Sequence, residues 1–371
     1  MRRMNLTVQG KHVVDSVNQG NLKNSKFTQT DSFKCTCLII GIILIWTILA
    51  FASTILVKDT EQPGLSALAT YLKSAGQNGS IMLFFAAMAS VLILVKNSGE
   101  LSTFQYINKH IKDIPRIAGK AGFNAVLGVV TFAVFTFAYS TINTRIPAVI
   151  PYSWDETFLK MDRVLFLGQD PWVLFKWLYD MPSVINFMDR VYDIWAGILI
   201  GAWALCFISY KYEIKTRFRF PLALLITWFI GGNVLALLFS SAGPCYYGLV
   251  TGLSDPYAAQ LSTLRALDAD LVLSAVRYQD LLWGVYNGPG FGLGGISAMP
   301  SMHCATSALL VLFAWKRPIL KWLALAFFCF IFISSIVLAW HYAVDGLFAI
   351  PIALGAWWLS GKILTRIAKT T

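Results

Sequence analysis

The chain has 371 residues, of which 57% are hydrophobic and only 13% are charged, and its mean hydropathy is +0.62. The length alone would allow two soluble domains, but the composition is that of an integral membrane protein and excludes them. The net charge of +11 suggests a nucleic-acid partner, but the distribution of the basic residues explains this charge without one.

Residues 1–34 are polar and nearly free of aromatic side chains, which predicts a disordered cytoplasmic tail. Eight apolar stretches follow, each able to cross a membrane alone or with help from flanking residues. They are residues 35–57, 81–95, 121–144, 185–210, 220–240, 301–315, 319–340 and 346–360. We therefore predict an all-α integral membrane protein with about eight transmembrane helices.

The same pattern predicts how the chain is divided. Residues 35–120 would form an N-terminal transmembrane hairpin with a surface segment, and residues 121–361 a catalytic membrane domain. Residues 362–371 would form a basic cytoplasmic tail.

Lysine and arginine favour the cytoplasmic ends of membrane helices. With the N-terminus inside, 21 of the 30 Lys and Arg residues fall on the cytoplasmic side, and 14 of the 19 acidic residues fall on the outer side. This predicts that both termini are cytoplasmic. The basic residues then face the anionic inner leaflet, and we expect no nucleic-acid partner.

The outer connections carry most of the other polar residues. Residues 145–184 combine aromatic and charged side chains, which predicts an interfacial helical segment. Within it, Asp155 and Asp162 suggest either a metal or headgroup site or, as we favour, a solvated helix with ion pairs. Residues 241–300 are predicted to form a long outer loop with a glycine-rich run at 288–295 that can approach a bulky headgroup.

Two of the four histidines, His303 and His341, lie at the mouths of apolar stretches, where an imidazole is costly unless it has a partner or a task. In a continuous helix His341 and Asp345 would share one face, so the carboxylate could orient the imidazole. The short connection between residues 301–315 and 319–340 would bring both histidines to one level on the outer side. This arrangement provides an activated nucleophile and a second proton-transfer group. The alternative is that both histidines simply lie at the membrane interface.

The segment Ser297-Ala-Met-Pro-Ser-Met-His303, followed by His341-Tyr-Ala-Val-Asp345, resembles the type 2 phosphatidic acid phosphatase superfamily. The most similar branch is inositolphosphotransferase-like and includes the inositol phosphorylceramide synthases and their bacterial relatives. Residues 154–166 and the segment Gly243-Pro-Cys-Tyr-Tyr247 are more weakly similar to it, and the first 120 residues are not. The resemblance implies that His341 attacks phosphorus to form a phosphohistidine, that Asp345 orients it, and that His303 protonates the departing group.

The phosphate oxygens of such a substrate need hydrogen-bond donors or cations. Ser301 and the N–H groups at the start of its helix can supply some of them. The phosphatase members carry an arginine six residues before the second histidine, where this chain has Ser335, and Met302 stands where they carry glycine. Their Lys-x-x-x-x-x-x-Arg-Pro element is also absent.

Cations must therefore come from elsewhere in the chain. Arg190 and Arg163 are the candidates that we select, with Lys160 and Arg145 as further outer cations. Structural ion pairs with neighbouring aspartates are the alternative role for both arginines. Tyr247 completes the candidate substrate contacts, and we expect neither a metal ion nor another cofactor. The six cysteines show no metal-site or disulfide pattern, although a Cys245–Cys304 bridge stays open.

These features predict a membrane lipid phosphatase or phosphotransferase whose substrate is a lipid phosphate or a phospholipid headgroup. Hydrolase and transferase stay open, because they differ only in whether water or an alcohol resolves the intermediate. The expected location is a bacterial inner membrane with the active site outside, and the oligomeric state is open. A transporter or flippase is the alternative of another class, although the interiors of the predicted spans are nearly free of charge. A non-catalytic scaffold is a third, although His303, His341 and Asp345 are all present.

Overall fold

The computed structural model describes residues 29–57, 114–208, 214–288 and 294–367. Within these ranges the chain is helical and contains no strand. The principal helices are α1 (Gln29–Leu56), α2 (Ile114–Asn143), α3 (Asp155–Leu165), α4 (Pro182–Ile208), α5 (Ile214–Phe229), α6 (Ala258–Leu271), α7 (Ser274–Asn287), α8 (Met302–Ala314), α9 (Leu320–Val337) and α10 (Ala343–Ile367). A 3₁₀ helix covers Pro171–Asp180, and shorter helical turns cover Ile146–Val149, Pro244–Tyr246 and Tyr247–Thr251.

Six helical segments of the described chain are long and apolar enough to cross a membrane. They belong to α1, α2, α4, α5 with its continuation, α9 and α10. This agrees with the prediction of an all-helical membrane protein. The predicted span at 81–95 lies outside the described residues, and the one at 301–315 appears as α8, whose 13 residues are few for a full crossing.

Two predicted boundaries are wrong. Helix α1 begins at Gln29, so the predicted polar tail does not extend to residue 34. The predicted loop at 241–300 contains α6 and α7. These two helices gave a weak sequence signal because each buries a polar glutamine, Gln260 in α6 and Gln279 in α7, while apolar side chains such as Leu281 are exposed.

Helix α8 packs against α4, α5, α9 and α10, so it lies in the middle of the helical assembly. Next to it, α5 continues into a π-helical segment at Ile230–Leu235. A Cβ atom added to Gly231 would lie 2.6 Å from the Met302 methyl group, and one added to Gly232 would lie 3.2 Å from its sulfur. The closest contact of a Cβ atom at Gly232 would be Tyr139 Cε2, at 2.6 Å, so the two glycines let Met302 and Tyr139 pack close to the backbone of this segment.

Helices α6 and α7 and the 3₁₀ helix are attached to the C-terminal end of α9, just before His341. Gln260 Nε2 donates a hydrogen bond to the Ile336 carbonyl oxygen at 2.8 Å. Gln279 Nε2 donates to the Leu338 carbonyl at 2.9 Å, and the Tyr179 hydroxyl donates to the Val337 carbonyl at 2.7 Å. The last carbonyl groups of a helix have no partner inside it. These buried side chains supply partners and fix where the chain leaves α9.

Candidate active site

The structure brings the two histidines together. His303 is the second residue of α8, and His341 lies in the connection between α9 and α10. Their ring centroids are 5.9 Å apart with an interplanar angle of 60°. The two imidazoles are therefore close enough to act on the same small group of a substrate. The predicted meeting of the histidines is confirmed.

The surroundings of His341 determine which of its nitrogens carries the proton. Nδ1 lies 2.9 Å from the Ala298 carbonyl oxygen and 3.4 Å from Asp345 Oδ2. Both of these oxygens accept hydrogen bonds, so Nδ1 must be the donor. In the neutral ring the lone pair is then on Nε2, the nitrogen that is available for nucleophilic attack.

Asp345 reaches His341 in a different way from that expected. Helix α10 begins at Ala343, so the helix does not continue through His341. Tyr342 precedes the helix, and its N–H donates to Asp345 Oδ2 at 3.0 Å. Asp345 therefore closes the first turn from inside the helix, as the third residue does in a capping box. The same oxygen, Oδ2, faces the His341 ring across the helix start.

Asp162 binds the next two N–H groups of α10. Its two carboxylate oxygens accept hydrogen bonds from the N–H groups of Ala343 and Val344, both at 2.8 Å. These N–H groups have no partner within the helix. Burial raises the pKa of Asp162 to about 7, against the opposing effect of these two hydrogen bonds.

Asp155 fixes the other side of the same connection. Its carboxylate accepts hydrogen bonds from the N–H groups of Ala242 and Gly243 and from the Tyr342 hydroxyl, at 2.8 to 3.1 Å. Burial raises its pKa to about 6. Both aspartates are only 1% exposed, so our interpretation of α3 as a solvated helix with ion pairs at these positions is wrong. Among the residues that the structure describes, no group of His, Cys, Asp and Glu side chains could hold a metal ion.

The segment around Gly243 supports both catalytic loops. The Ser241 carbonyl oxygen and hydroxyl accept hydrogen bonds from the N–H groups of Ala298 and Met299, at 3.0 and 3.2 Å. Gly243 has φ +99°, and a Cβ atom there would lie 2.8 Å from the Trp340 carbonyl oxygen. The close approach to the His341 loop therefore requires glycine.

Ser301 is buried at the start of α8. Its hydroxyl accepts a hydrogen bond from the Cys304 N–H at 3.3 Å, and its own N–H donates to the Asp345 carbonyl at 3.2 Å. The starts of α8 and α10 are thus bonded to each other. The N–H groups of Met302 and His303 have no acceptor within the helix, and they belong to the helical turn that carries His303.

The other candidate binding residues have partners in the structure. Arg163 forms a two-pronged ion pair with Asp170, at 2.7 and 3.1 Å, and this pair raises the pKa of the guanidinium. Arg190 donates to the Val272 carbonyl at 3.2 Å and lies 3.5 Å from the Ser274 hydroxyl. Tyr247 is buried. The roles of these side chains in substrate binding remain predictions.

Asp189, the neighbour of Arg190, and Ser335 each accept hydrogen bonds from backbone N–H groups. Asp189 accepts hydrogen bonds from the N–H groups of Ser274 and Ala275, both at 2.8 Å, so it binds the start of α7. Ser335, at the position of the family arginine, is buried, and its carbonyl oxygen accepts from the N–H groups of Trp340 and His341. Cys245 and Cys304 are both free thiols.

Sequence reasoning missed three features of this site. The Ala298 carbonyl contacts His341, but every residue has a carbonyl, so no sequence signal marks it. Asp155 and Asp162 are seven residues apart and therefore share one face of α3, which was a usable signal. The third feature is an aromatic pair on α4, Tyr192 and Trp195, which packs against the His303 ring.

Comparison with known proteins agrees with this geometry. The PAP2 superfamily model matches residues 156–359, which include α3 except for its first residue, the Gly243 segment and both histidines. No curated protein and no solved structure matches the chain. The match covers more than half of the chain and contains the complete His303, His341 and Asp345 set, so the protein belongs to the PAP2 superfamily.

Proposed function

We propose that this protein is an integral membrane lipid phosphatase or phosphotransferase that works through a phosphohistidine on His341. Membership of the PAP2 superfamily supports phosphatase-type activity. The observation that carries the proposal is the histidine pair, in which His341 has its Nδ1 hydrogen directed at Ala298 and Asp345 and its Nε2 free to react.

The reaction has two steps. In the first, His341 Nε2 attacks phosphorus while His303 gives a proton to the departing oxygen. In the second, His303 takes a proton from water or an alcohol, whose oxygen attacks the phosphohistidine and releases His341. Water gives a hydrolase and an alcohol gives a phosphotransferase.

The phosphate oxygens need donors at the start of α8. The N–H groups of Met302 and His303 and the hydroxyl hydrogen of Ser301 supply them in this proposal. Arg163, Arg190 and Tyr247 are proposed to contact the headgroup more peripherally. We further propose that the site faces the extracytoplasmic side of a bacterial inner membrane, as the distribution of basic residues predicts.

The proposal is tested with purified protein in detergent, wild type and His341→Ala. Phosphatidic acid, a polyprenyl pyrophosphate, and phosphatidylinositol together with ceramide are offered in parallel. We expect His341→Ala to lower the rate by at least about 10³-fold on the accepted substrate. The product distinguishes hydrolysis from transfer.

Two further measurements make this test specific. A substrate labelled on phosphorus should leave an alkali-stable label on wild-type protein and none on His341→Ala. Trp358→Ala changes an exposed side chain on α10 and should keep wild-type activity. It controls for loss of activity during purification of a variant. Equal activity in wild type and His341→Ala would refute the mechanism.

A further inference from the structure

The His303 ring packs against two aromatic side chains of α4. Its centroid lies 4.5 Å from that of Tyr192, with an interplanar angle of 25°. It lies 4.1 Å from that of Trp195, with an angle of 42°. Tyr192 and Trp195 are three residues apart and therefore share one face of α4. Among the described residues, none forms a hydrogen bond with the His303 ring.

The two aromatic rings are themselves fixed. Trp195 Nε1 donates to the Thr306 hydroxyl at 3.0 Å, and this hydroxyl donates to the Met302 carbonyl at 2.7 Å. The indole is thereby bonded to the same helix that carries His303. Tyr192 is only 6% exposed, so its ring has little freedom to move away.

A general acid has two requirements that these contacts can meet. It must hold its N–H toward the leaving oxygen, and it must be protonated when the P–O bond breaks. Aromatic faces attract a cation, so a neighbouring tryptophan or tyrosine stabilises an imidazolium in a site with little water. Because the contacts involve the ring faces, both nitrogens are left available for proton transfer.

We propose that Trp195 and Tyr192 are positioning residues, which hold the His303 ring toward the leaving oxygen and stabilise its protonated form through their π faces. This inference rests on the proposed function. In the first step the His303 proton moves to the leaving oxygen as the P–O bond breaks and the N–P bond to His341 forms. In the second step His303 recovers a proton from the attacking water or alcohol.

The test uses two leaving groups that differ in their need for a proton. The para-nitrophenolate anion is stable and departs without a proton. The alkoxide that leaves from dioctanoyl phosphatidic acid must receive a proton as it departs. We expect Trp195→Leu to lower phosphate release from the phosphatidic acid by about 3- to 30-fold. Release from para-nitrophenyl phosphate should change by less than about 2-fold. Trp195→Phe, which keeps an aromatic face, should recover most of the loss, and Tyr192→Phe should stay near wild type.

Trp203→Phe is the matched control, since Trp203 lies on the same helix and donates its N–H to the Gly128 carbonyl, away from His303. It should affect both substrates equally. An equal loss on both substrates in Trp195→Leu would mean a general structural role and would overturn the inference.

A double-mutant cycle gives a second readout on a single substrate. If Trp195 acts through His303, the effect of Trp195→Leu disappears in a His303→Ala background. If Trp195→Leu lowers the rate as much in that background as it does in wild type, the inference is overturned. This readout does not require para-nitrophenyl phosphate to be a substrate. His341→Ala is run beside these variants. If it equals wild type, or if wild type forms no product from any of the three lipid substrates offered above, the proposed function fails and this inference fails with it. If His341 is required but Trp195→Leu is silent, only the inference fails.

Discussion

The two histidines of the site lie at the same level of the molecule but are held by opposite means. His341 is fixed through one ring nitrogen, whose N–H donates to the Ala298 carbonyl and faces the Asp345 carboxylate. His303 is fixed by aromatic faces, from Tyr192 and Trp195, and none of the described residues bonds to its nitrogens. The difference fits the proposed roles. A nucleophile needs one defined tautomer, whereas an acid must gain and lose its proton.

The two environments also differ in how far they extend through the chain. The hydrogen bonds around His341 continue to Asp155 and Asp162 on α3, which bind the N–H groups of the surrounding loops. Apart from the His341 ring, the aromatic contacts of His303 stay within α4 and α8. Changes near His341 should therefore affect both stability and activity, whereas changes near His303 should affect mainly proton transfer.

Among the variants that test this difference between the two histidines, Asp345→Asn should have the largest effect on activity. The Ala298 carbonyl would still hold the Nδ1 hydrogen, so the tautomer should survive. The lost negative charge no longer stabilises the positive charge that develops on His341 during attack. We expect kcat to fall on the order of 10²-fold, with little change in KM, in a steady-state assay on the accepted lipid. An unchanged kcat would mean that the backbone carbonyl alone supports His341.

Much of the fold and of the site could be predicted from sequence. The apolar stretches indicated the membrane helices, and the short connection between α8 and α9 indicated that His303 and His341 would meet. Both inferences depend on properties that are local in sequence: hydrophobic length and connection length. The close packing at Gly231 and Gly232 was not predicted, because it involves Met302 and Tyr139, about 70 and about 90 residues away in the chain.

The buried aspartates show why the rest could not be predicted. Carboxylates are rarely buried without a partner, so Asp155 and Asp162 were interpreted as solvent-facing. Apart from the Tyr342 hydroxyl, their partners are backbone N–H groups more than 80 residues later in the chain. Such donors exist at nearly every position and leave no mark in the sequence. Only the folded arrangement of α3 against the start of α10 reveals them.

A smaller effect is expected for Asp162→Ala, which tests how the His341 region is anchored. The substitution leaves the N–H groups of Ala343 and Val344 buried without an acceptor. Each orphaned donor costs about 1–3 kcal/mol. We expect a clearly lower unfolding temperature in detergent and a reduced kcat.

Glu156→Ala is the matched control for this variant. Glu156 lies on the exposed side of α3 and pairs with Lys160 in solvent, where ion pairs contribute little. Its unfolding temperature should be close to that of wild type. If Asp162→Ala were equally stable, the hydrogen bonds from α3 would not anchor α10.

The smallest expected effect is a pH dependence of stability that comes from the anchors of His341 and not from the contacts of His303. Burial raises the pKa of Asp155 to about 6 and that of Asp162 to about 7, above the usual value for aspartate of about 4. The folded protein therefore holds these protons more tightly than the unfolded chain does. Their stabilising contribution is complete below about pH 4 and is lost as the pH rises through 6 to 7.

The unfolding temperature of wild type should accordingly fall between pH 5 and pH 8. Asp162→Asn cannot titrate, so its unfolding temperature should fall less over this range, whereas Trp195→Phe should follow wild type because it leaves both carboxyl groups in place. Identical slopes in wild type and Asp162→Asn would mean that Asp162 is ionised throughout, since the two N–H groups of α10 would then outweigh the effect of burial. The His341 region would in that case be held by a permanent charge at the helix start.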